Sequence, residues 1–230
     1  MIDIHTHILP YVDDGSPDLE TSIALIKSEM EQGVTDIFVT PHYYQYRGFL
    51  STKAENEIIF NELKQQIKNL NLQVKLYLGN EIYYDKNTAK LLENGTLSTL
   101  SDSKYVLVEF SMISEEEDVA EAINTLTAKG YIPIIAHPER YPYLNKTSDY
   151  KIMRHMGAKI QINSGSLTGY YGRQAKKLVF KLLKENLVDF AASDIHDFRH
   201  GEILAGYKVV EKQFSKELAD KIYCNNQIFE

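Results

Sequence analysis

The sequence predicts an α/β fold of the (β/α) barrel kind, a distorted, TIM-like ring of seven strands. Three observations predict it. Strand-like and helix-like runs alternate from end to end, which implies a parallel sheet. Seven such units can be marked off. Nearly every strand-like run carries a His, Asp or Glu at or just past its C-terminal end: His5 and His7, His42, Glu81, Glu109, His137, then Asp194 and His196. Seven units also suit an open, doubly wound sheet. An open sheet spreads seven strand ends over roughly 30 Å, at about 4.8 Å per strand. A barrel gathers them on one face, where such folds keep their active sites.

Taken in order, residues 2–4 form the first strand. Ser16-Pro17 reads as an N-cap followed by proline at the first helical position. Leu19, Ile23, Ile26 and Met30 give one helical face, and Gly33 supplies the stop. Residues 36–40 are the second strand, closed by Pro41-His42. A tyrosine-rich loop with Arg47 follows, then a long helix over 53–70. Residues 74–78 are the third strand, ending at Gly79-Asn80-Glu81. A short helix over 85–94 stops at Gly95. The fourth strand, 105–108, runs into Glu109. Residues 115–129 predict a helix whose three leading glutamates suit the positive end of the dipole, with Gly130 closing it. The fifth strand, 132–136, ends at His137. A helix over 148–156 precedes Gly157. The sixth strand, 159–162, leads into Asn163-Ser164-Gly165. A helix over 174–185, a seventh strand over 187–192 and one or two helices over 202–223 complete the chain. No linker or low-complexity run interrupts it, which predicts one domain over residues 1–230.

Composition narrows the function. Hydrophobic content of 43% and charged content of 25% suit a globular protein. A net charge of −7 argues against a nucleic-acid surface. There is no run of about 18 apolar residues to cross a membrane. The start, MIDIHTH, has no signal-peptide pattern. The single cysteine, Cys224, excludes an internal disulfide. The expectation is a cytoplasmic protein without membrane insertion.

The chemistry centres on residues 1–14, MIDIHTHILPYVDD. On a strand, i and i+2 share a face, so His5 and His7 reach one point. Imidazole is the commonest side-chain metal ligand. Five of the seven histidines (His5, His7, His42, His137, His196) stand with the carboxylates Asp14, Glu81, Glu109 and Asp194 at matching positions. Nine ligands exceed the need of one metal and suit two or three ions with a bridging carboxylate. Imidazole and carboxylate without thiolate suit Mn²⁺, Fe²⁺ or Zn²⁺. Ions about 3.5–4 Å apart can share a hydroxide and polarise a phosphoryl oxygen.

The motifs H-T-H, T-P-H, G-N-E, V-E-F, A-H-P-E-R and S-D-I-H together resemble the PHP superfamily, the polymerase and histidinol phosphatase group. D-D-G-S, G-N-E-I-Y-Y, L-V-E-F and A-H-P-E-R-Y look more specifically like the manganese-dependent protein-tyrosine phosphatases of bacterial capsule and exopolysaccharide gene clusters. The resemblance runs from Met1 to about Glu211. It implies a distorted seven-stranded barrel with a three-metal site. Matched residue by residue, one metal takes His5, His7, Glu81 and Asp194, a second shares Glu81 with Glu109 and His137, and a third takes Asp14, His42 and His196. Asp13 is the alternative to Asp14. The implied substrate is the phosphotyrosine-rich tail of a cognate tyrosine autokinase that controls polysaccharide export, and the implied metal is Mn²⁺. An arginine usually found a few residues after S-D-x-H is displaced here to Arg199.

Phosphate chemistry needs charge neutralisation and an in-line nucleophile. Arg140, three residues past His137, suits a charge-assisted grip; a solvent-exposed surface ion pair is its alternative. Arg47 and Arg199 are further candidates. Tyr43, Tyr44 and Tyr46 either wall an aromatic pocket or anchor a loop. Cys224 has no phosphate-binding loop around it, so a thiolate mechanism is not expected, and the thiol reads as buried or idle. His155 and His200 read as surface residues. Competing readings are a histidinol-phosphate-type phosphatase, a non-catalytic phosphotyrosine-binding module and, more remotely, a nuclease.

Overall fold

The computed structural model describes residues 1–115, 118–199 and 201–229. Its strand segments are β1 (Ile2–Thr6), β2 (Asp36–Val39), β3 (His42–Tyr43), β4 (Lys75–Leu78), β5 (Glu81–Tyr83), β6 (Tyr105–Glu109), β7 (Ile132–Ile135), β8 (Lys159–Asn163) and β9 (Phe190–Ala192). All pair in parallel. The second and third expected runs, 36–40 and 74–78, appear as β2 and β4, and each is followed after a kink by a further short strand, β3 or β5. Pro41, which has no N–H for a ladder, separates β2 from β3. Gly79-Asn80 separates β4 from β5. A Cβ on Gly79 would lie 2.5 Å from Leu100 Cδ2, so a larger residue there would have to displace that buried side chain. The Asn80 side chain ties the two breaks together, donating to the Pro41 carbonyl at 3.0 Å and accepting from Ser98 N at 2.9 Å. Beyond the breaks β3 pairs with β5, and His42 stands opposite Glu81.

The order β1-β2-β4 continues past these kinks as β3-β5-β6-β7-β8-β9. The ring closes where Asp194 N donates to the His5 carbonyl at 2.9 Å and His7 N to the Ile195 carbonyl at 3.0 Å. The barrel class and its seven βα units therefore match the expectation, with nine strand segments among the described residues.

The helices are α1 (Leu19–Glu31), α2 (Lys53–Asn69), α3 (Thr88–Glu93), α4 (Val119–Ala128), α5 (Thr147–His155), α6 (Ser164–Thr168), α7 (Gly172–Lys184), α8 (Ile203–Gln213) and α9 (Lys216–Tyr223). Ile37, Val39, Val106, Val108, Ile135 and Ile160 face outward to join helix residues such as Ile26, Leu63, Leu126 and Leu182. The alternate residues Ile4, Phe38, Leu107, Ile134 and Phe190 fill the inside, with Ile228 from the C-terminus.

Several boundaries differ from expectation. Helix α1 starts after Asp18, whose side chain accepts from Thr21 N, and not at Ser16-Pro17; Ser16 Oγ instead bonds the Asp18 carbonyl and Ser22. Its buried stripe is Ser22, Ile26 and Glu29, with Ile23 only half-buried. The helix expected over 115–129 is α4, capped by Asp118; Glu115 precedes it, and Glu116 and Glu117 lie outside the described residues. The strand expected over 187–192 shortens to β9, because Leu187 N still bonds the Leu182 carbonyl to close α7. Asn163 ends β8 and leads into α6, a short helix without a counterpart among the expected elements. Among the described residues no helix is long and apolar enough to cross a membrane.

Candidate metal centre

The β1 strand carries the first device of the site. Ile2 and Ile4 belong to the inner core, yet His5 and His7 also face inward. Strict alternation forbids both. The register resolves the conflict: Asp3 pairs with Ile37 but Thr6 with Val39, one residue out of step. This bulge re-aims the chain, and the two imidazoles converge with their Nε2 atoms 3.1 Å apart.

Glu81 is the hub. Its Oε2 stands 3.1 Å from each of His5 Nε2, His7 Nε2 and His42 Nδ1. Its Oε1 lies 2.9 Å from His137 Nε2. Asp194 Oδ1 lies 3.8 Å from His5 Nε2 and 3.6 Å from both His7 Nε2 and His196 Nδ1. Asp14 Oδ1 lies 3.6 Å from His42 Nε2 and from His196 Nε2. Glu109 Oε1 is 3.3 Å from His42 Nδ1. All nine expected ligand residues are therefore drawn into one cluster at the C-terminal ends of the strands.

The donor atoms fall into three sets with spacings suited to an ion: His5, His7 and Glu81; His42, Glu81 and Glu109; and His7, Asp14, His42 and His196. The first overlaps the implied set of His5, His7, Glu81 and Asp194 but lacks Asp194, and the third holds the implied Asp14, His42 and His196 with His7 added. The second differs, because His42 rather than His137 stands with Glu81 and Glu109, while His137 meets the other oxygen of Glu81.

The chemistry of these donors fits cations. Among the described residues Asp14 Oδ1, His42 Nδ1, Glu81 Oε2 and Glu109 Oε1 are buried without a hydrogen bond. Each such atom costs about 1–3 kcal/mol unless something satisfies it. Imidazole lone pairs and carboxylate oxygens share one need, a positive ion between them. Burial, reinforced by the charge of His7, pushes His42 down to about 4. Burial likewise pushes His137 down to about 4. Both rings are therefore neutral at pH 7, the form that ligates. Burial opposes charge on Glu81, but His5 and His42 override it and hold the carboxyl well below its ordinary value. Burial and the neighbouring Glu81 together push Glu109 well up.

Asp13 is not an alternative to Asp14. Its Oδ2 accepts from His42 N at 2.8 Å and stands 2.9 Å from His7 Nδ1, behind the ring. Its Oδ1 accepts from Gly15 N. A carboxylate there fixes the tautomer and aim of a ligating histidine. Gln161 does similar work, with Oε1 3.1 Å from His5 Nδ1 and accepting from His137 N at 3.2 Å. Gln161 donates to Asn163, which donates to Asp194 Oδ2 at 2.7 Å. Sequence reasoning missed this pair, although the alternation Gln161-x-Asn163 is the same signal that singles out His5 and His7.

A cavity of about 280 Å³ opens over the cluster. Arg140 and Arg199 stand on its wall, and both reach Asp194 Oδ2, Arg140 at 2.9 Å. Arg140 is mostly buried, so the exposed surface pair considered for it is excluded. Arg47 sits at the rim, more than half exposed, 3.1 Å from Asp14 Oδ2 and over the Tyr44 ring. Tyr44 stacks on Tyr83 at 3.9 Å, and both line the cavity, whereas Tyr46 points to solvent. Cys224 is exposed rather than buried and feels the charge of the Met1 amino group, at the opposite end of the ring from the site. His155 is exposed, and His200 lies outside the described residues.

Known proteins resemble this chain along most of its length. A solved structure, described as YwqE from Bacillus subtilis and CpsB from Streptococcus pneumoniae, unique metal-dependent tyrosine phosphatases, superposes with a TM-score of 0.89 at 33% identity, covering 95% of this chain and 90% of that one. Tyrosine-protein phosphatase CpsB of Streptococcus agalactiae is 34% identical over 237 residues, 98% of this chain and 96% of its own length. Tyrosine-protein phosphatase YwqE of Bacillus subtilis is 34% identical over 223 residues, 95% and 87% of the two chains. The profile of the family described as capsular polysaccharide synthesis, CpsB/CapC, matches residues 1–229, and the chain belongs to that family.

Proposed function

We propose that this protein is a metal-dependent protein-tyrosine phosphatase. Its substrate is the phosphotyrosine-bearing tail of a cognate bacterial tyrosine kinase, and its action regulates capsular or exopolysaccharide synthesis in the cytoplasm. The whole chain, 1–230, works as one phosphatase domain. The ligands are His5, His7, Asp14, His42, Glu81, Glu109, His137, Asp194 and His196, and Mn²⁺ is the ion of choice, with Fe²⁺ or Zn²⁺ as substitutes.

The observation that carries this reading is the coincidence of three things in one cavity: a thiol-free cluster of ligands, two inward arginines and a pair of stacked tyrosines. Bound ions would neutralise phosphoryl charge and activate water at neutral pH. The protein's own groups do the rest. Arg140 and Arg199 offer planar donors to the non-bridging oxygens. Their shared partner, Asp194, keeps them extended toward the ligand cluster. Tyr44 and Tyr83 give the phenyl ring of the substrate an apolar face, and Arg47 guards the rim.

The test is hydrolysis by purified protein, stripped with chelator and reloaded with Mn²⁺, Zn²⁺ or Fe²⁺. Phosphotyrosine peptide and histidinol phosphate are compared. Turnover of the peptide with metal and none after chelation is expected. A preference for histidinol phosphate moves the chain to the small-molecule reading. Tight peptide binding without turnover moves it to the binding-module reading.

A further inference from the structure

Helix α7 carries Arg173, Lys176, Lys177, Lys181 and Lys184 and no acidic residue. The chain as a whole has a net charge of −7. Arg173, Lys177 and Lys181 recur every four residues and are exposed, so they form one stripe. Like charges at that spacing work against a helix. The helix is held by its opposite face, where Leu178, Val179, Leu182 and Leu183 are buried. Elsewhere, exposed lysines such as Lys129, Lys151 and Lys216 meet carboxylates. Among the described residues none of the three stripe cations stands within 4.0 Å of a carboxylate oxygen, although Lys151, with help from Lys181, holds the carboxyl of Glu185, at the end of the helix, below its ordinary value.

The stripe borders a groove of about 670 Å³ lined by Lys177, Lys181, Gln174, Leu178 and Pro142. The groove adjoins the metal-site cavity, and Arg140 and Met112 line both. The Arg140 guanidinium lies over the Tyr171 ring at 4.4 Å and forms the saddle between them. The one acid lining the groove, Glu139, is buried and turned inward, accepting from Asn163 N and Ser166 Oγ.

We propose that this groove binds acidic residues flanking the phosphotyrosine, so that the preferred substrate is a peptide with carboxylates a few residues from the scissile group. This rests on the phosphatase reading. A peptide is favoured over an anionic bilayer because the groove is concave and lies next to the cavity, so that one extended chain can reach both, whereas a flat surface cannot enter either.

The experiment uses the full Mn²⁺-loaded chain. Phosphotyrosine peptides of equal length are compared, with an Asp/Glu run on one side, on the other, or replaced by Ser/Gln; free phosphotyrosine is the reference. The wild type should favour one acidic peptide over the neutral one by about tenfold in kcat/KM, or about 1.4 kcal/mol, through KM. The preference should shrink with salt. In K177E/K181E the ratio of kcat/KM for that peptide to that for free phosphotyrosine should fall by about the same factor. Binding of a fluorescent, unphosphorylated acidic peptide should weaken in parallel, and this readout stands even if no substrate is turned over. Equal handling of acidic and neutral peptides, or unchanged binding in the variant, overturns the groove assignment while leaving the phosphatase reading intact. Lysine-dependent binding to phosphatidylglycerol vesicles without peptide discrimination overturns it as well.

Discussion

Asp194 Oδ2 collects three donors: Arg140, Arg199 and Asn163. That redundancy makes Arg140 testable. With Arg199 and Asn163 still holding Asp194, Arg140→Ala should keep its metal content and lose kcat/KM by about a hundredfold or more. A single charged donor in a water-poor site is worth about 2.7–4 kcal/mol in comparable cases. Kinetics and metal content on the same sample decide; wild-type kcat/KM would move phosphate recognition to Arg47, Arg199 or the ions. Glu139 offers a second test. Burial pushes it up to about 7 from 4.5. An acid whose folded pKa lies above its unfolded one supports the fold most below about 4.5, and that support is lost as pH rises through about 7. The change amounts to about 3 kcal/mol. Glu139→Gln keeps the Oε1 acceptor used by Asn163 and Ser166. Denaturation of chelated protein from pH 4 to 8 should show the wild type losing stability relative to the variant across that window. Parallel curves would refute the buried neutral acid.

At the level of elements, the site depends on places where regular structure is interrupted. The bulge in β1 turns His5 and His7 inward above Ile4, and the kinks at Pro41 and Gly79 set His42 beside Glu81. The loop after β1 is equally constrained. A Cβ on Gly15 would lie 2.1 Å from the His7 carbonyl oxygen and 2.3 Å from His7 Cβ. Backbone cannot yield as a side-chain tip can. Gly15→Ala should cost about 1–3 kcal/mol of stability. It should also weaken metal binding, because Asp13 and Asp14 leave their places around His7 and His42. Chemical denaturation with a Mn²⁺ titration checks both. Wild-type metal affinity in the variant would show that the loop has room to spare.

For the whole molecule, the ligands come from strands all around the ring and from the loop that follows β1. Ions binding only the folded chain stabilise it by about 2.7 kcal/mol at a hundredfold excess over Kd. For a domain of this size each kcal/mol is worth about 2–4 °C in Tm. Thermal unfolding in a Mn²⁺ series should therefore show Tm rising by about 5–10 °C over chelated protein and climbing with the logarithm of concentration. A Tm indifferent to Mn²⁺ and chelator would mean that the cluster holds no ion.

By itself the sequence determined the barrel class, the order of βα units and the identity of the clustered side chains. These follow from local quantities: apolar period, glycine stops, and a His, Asp or Glu repeated at the same point of each unit. Only the tertiary structure decided how these residues divide the work. Asp13 and Asp14 are adjacent and chemically identical, and the turn at Gly15 alone sends one behind His7 and the other toward His42 and His196. His42 rather than His137 stands with Glu109 because two kinks, the first at Pro41 and the second at Gly79-Asn80 against Leu100, set the β3–β5 register. Gln161 and Asn163 join the site because ring closure sets β8 only one strand from β1, with β9 between them, a neighbourhood that no short stretch of chain encodes. Side-chain type is written residue by residue, whereas the direction in which a side chain points depends on strand register and closure, which the whole ring settles at once.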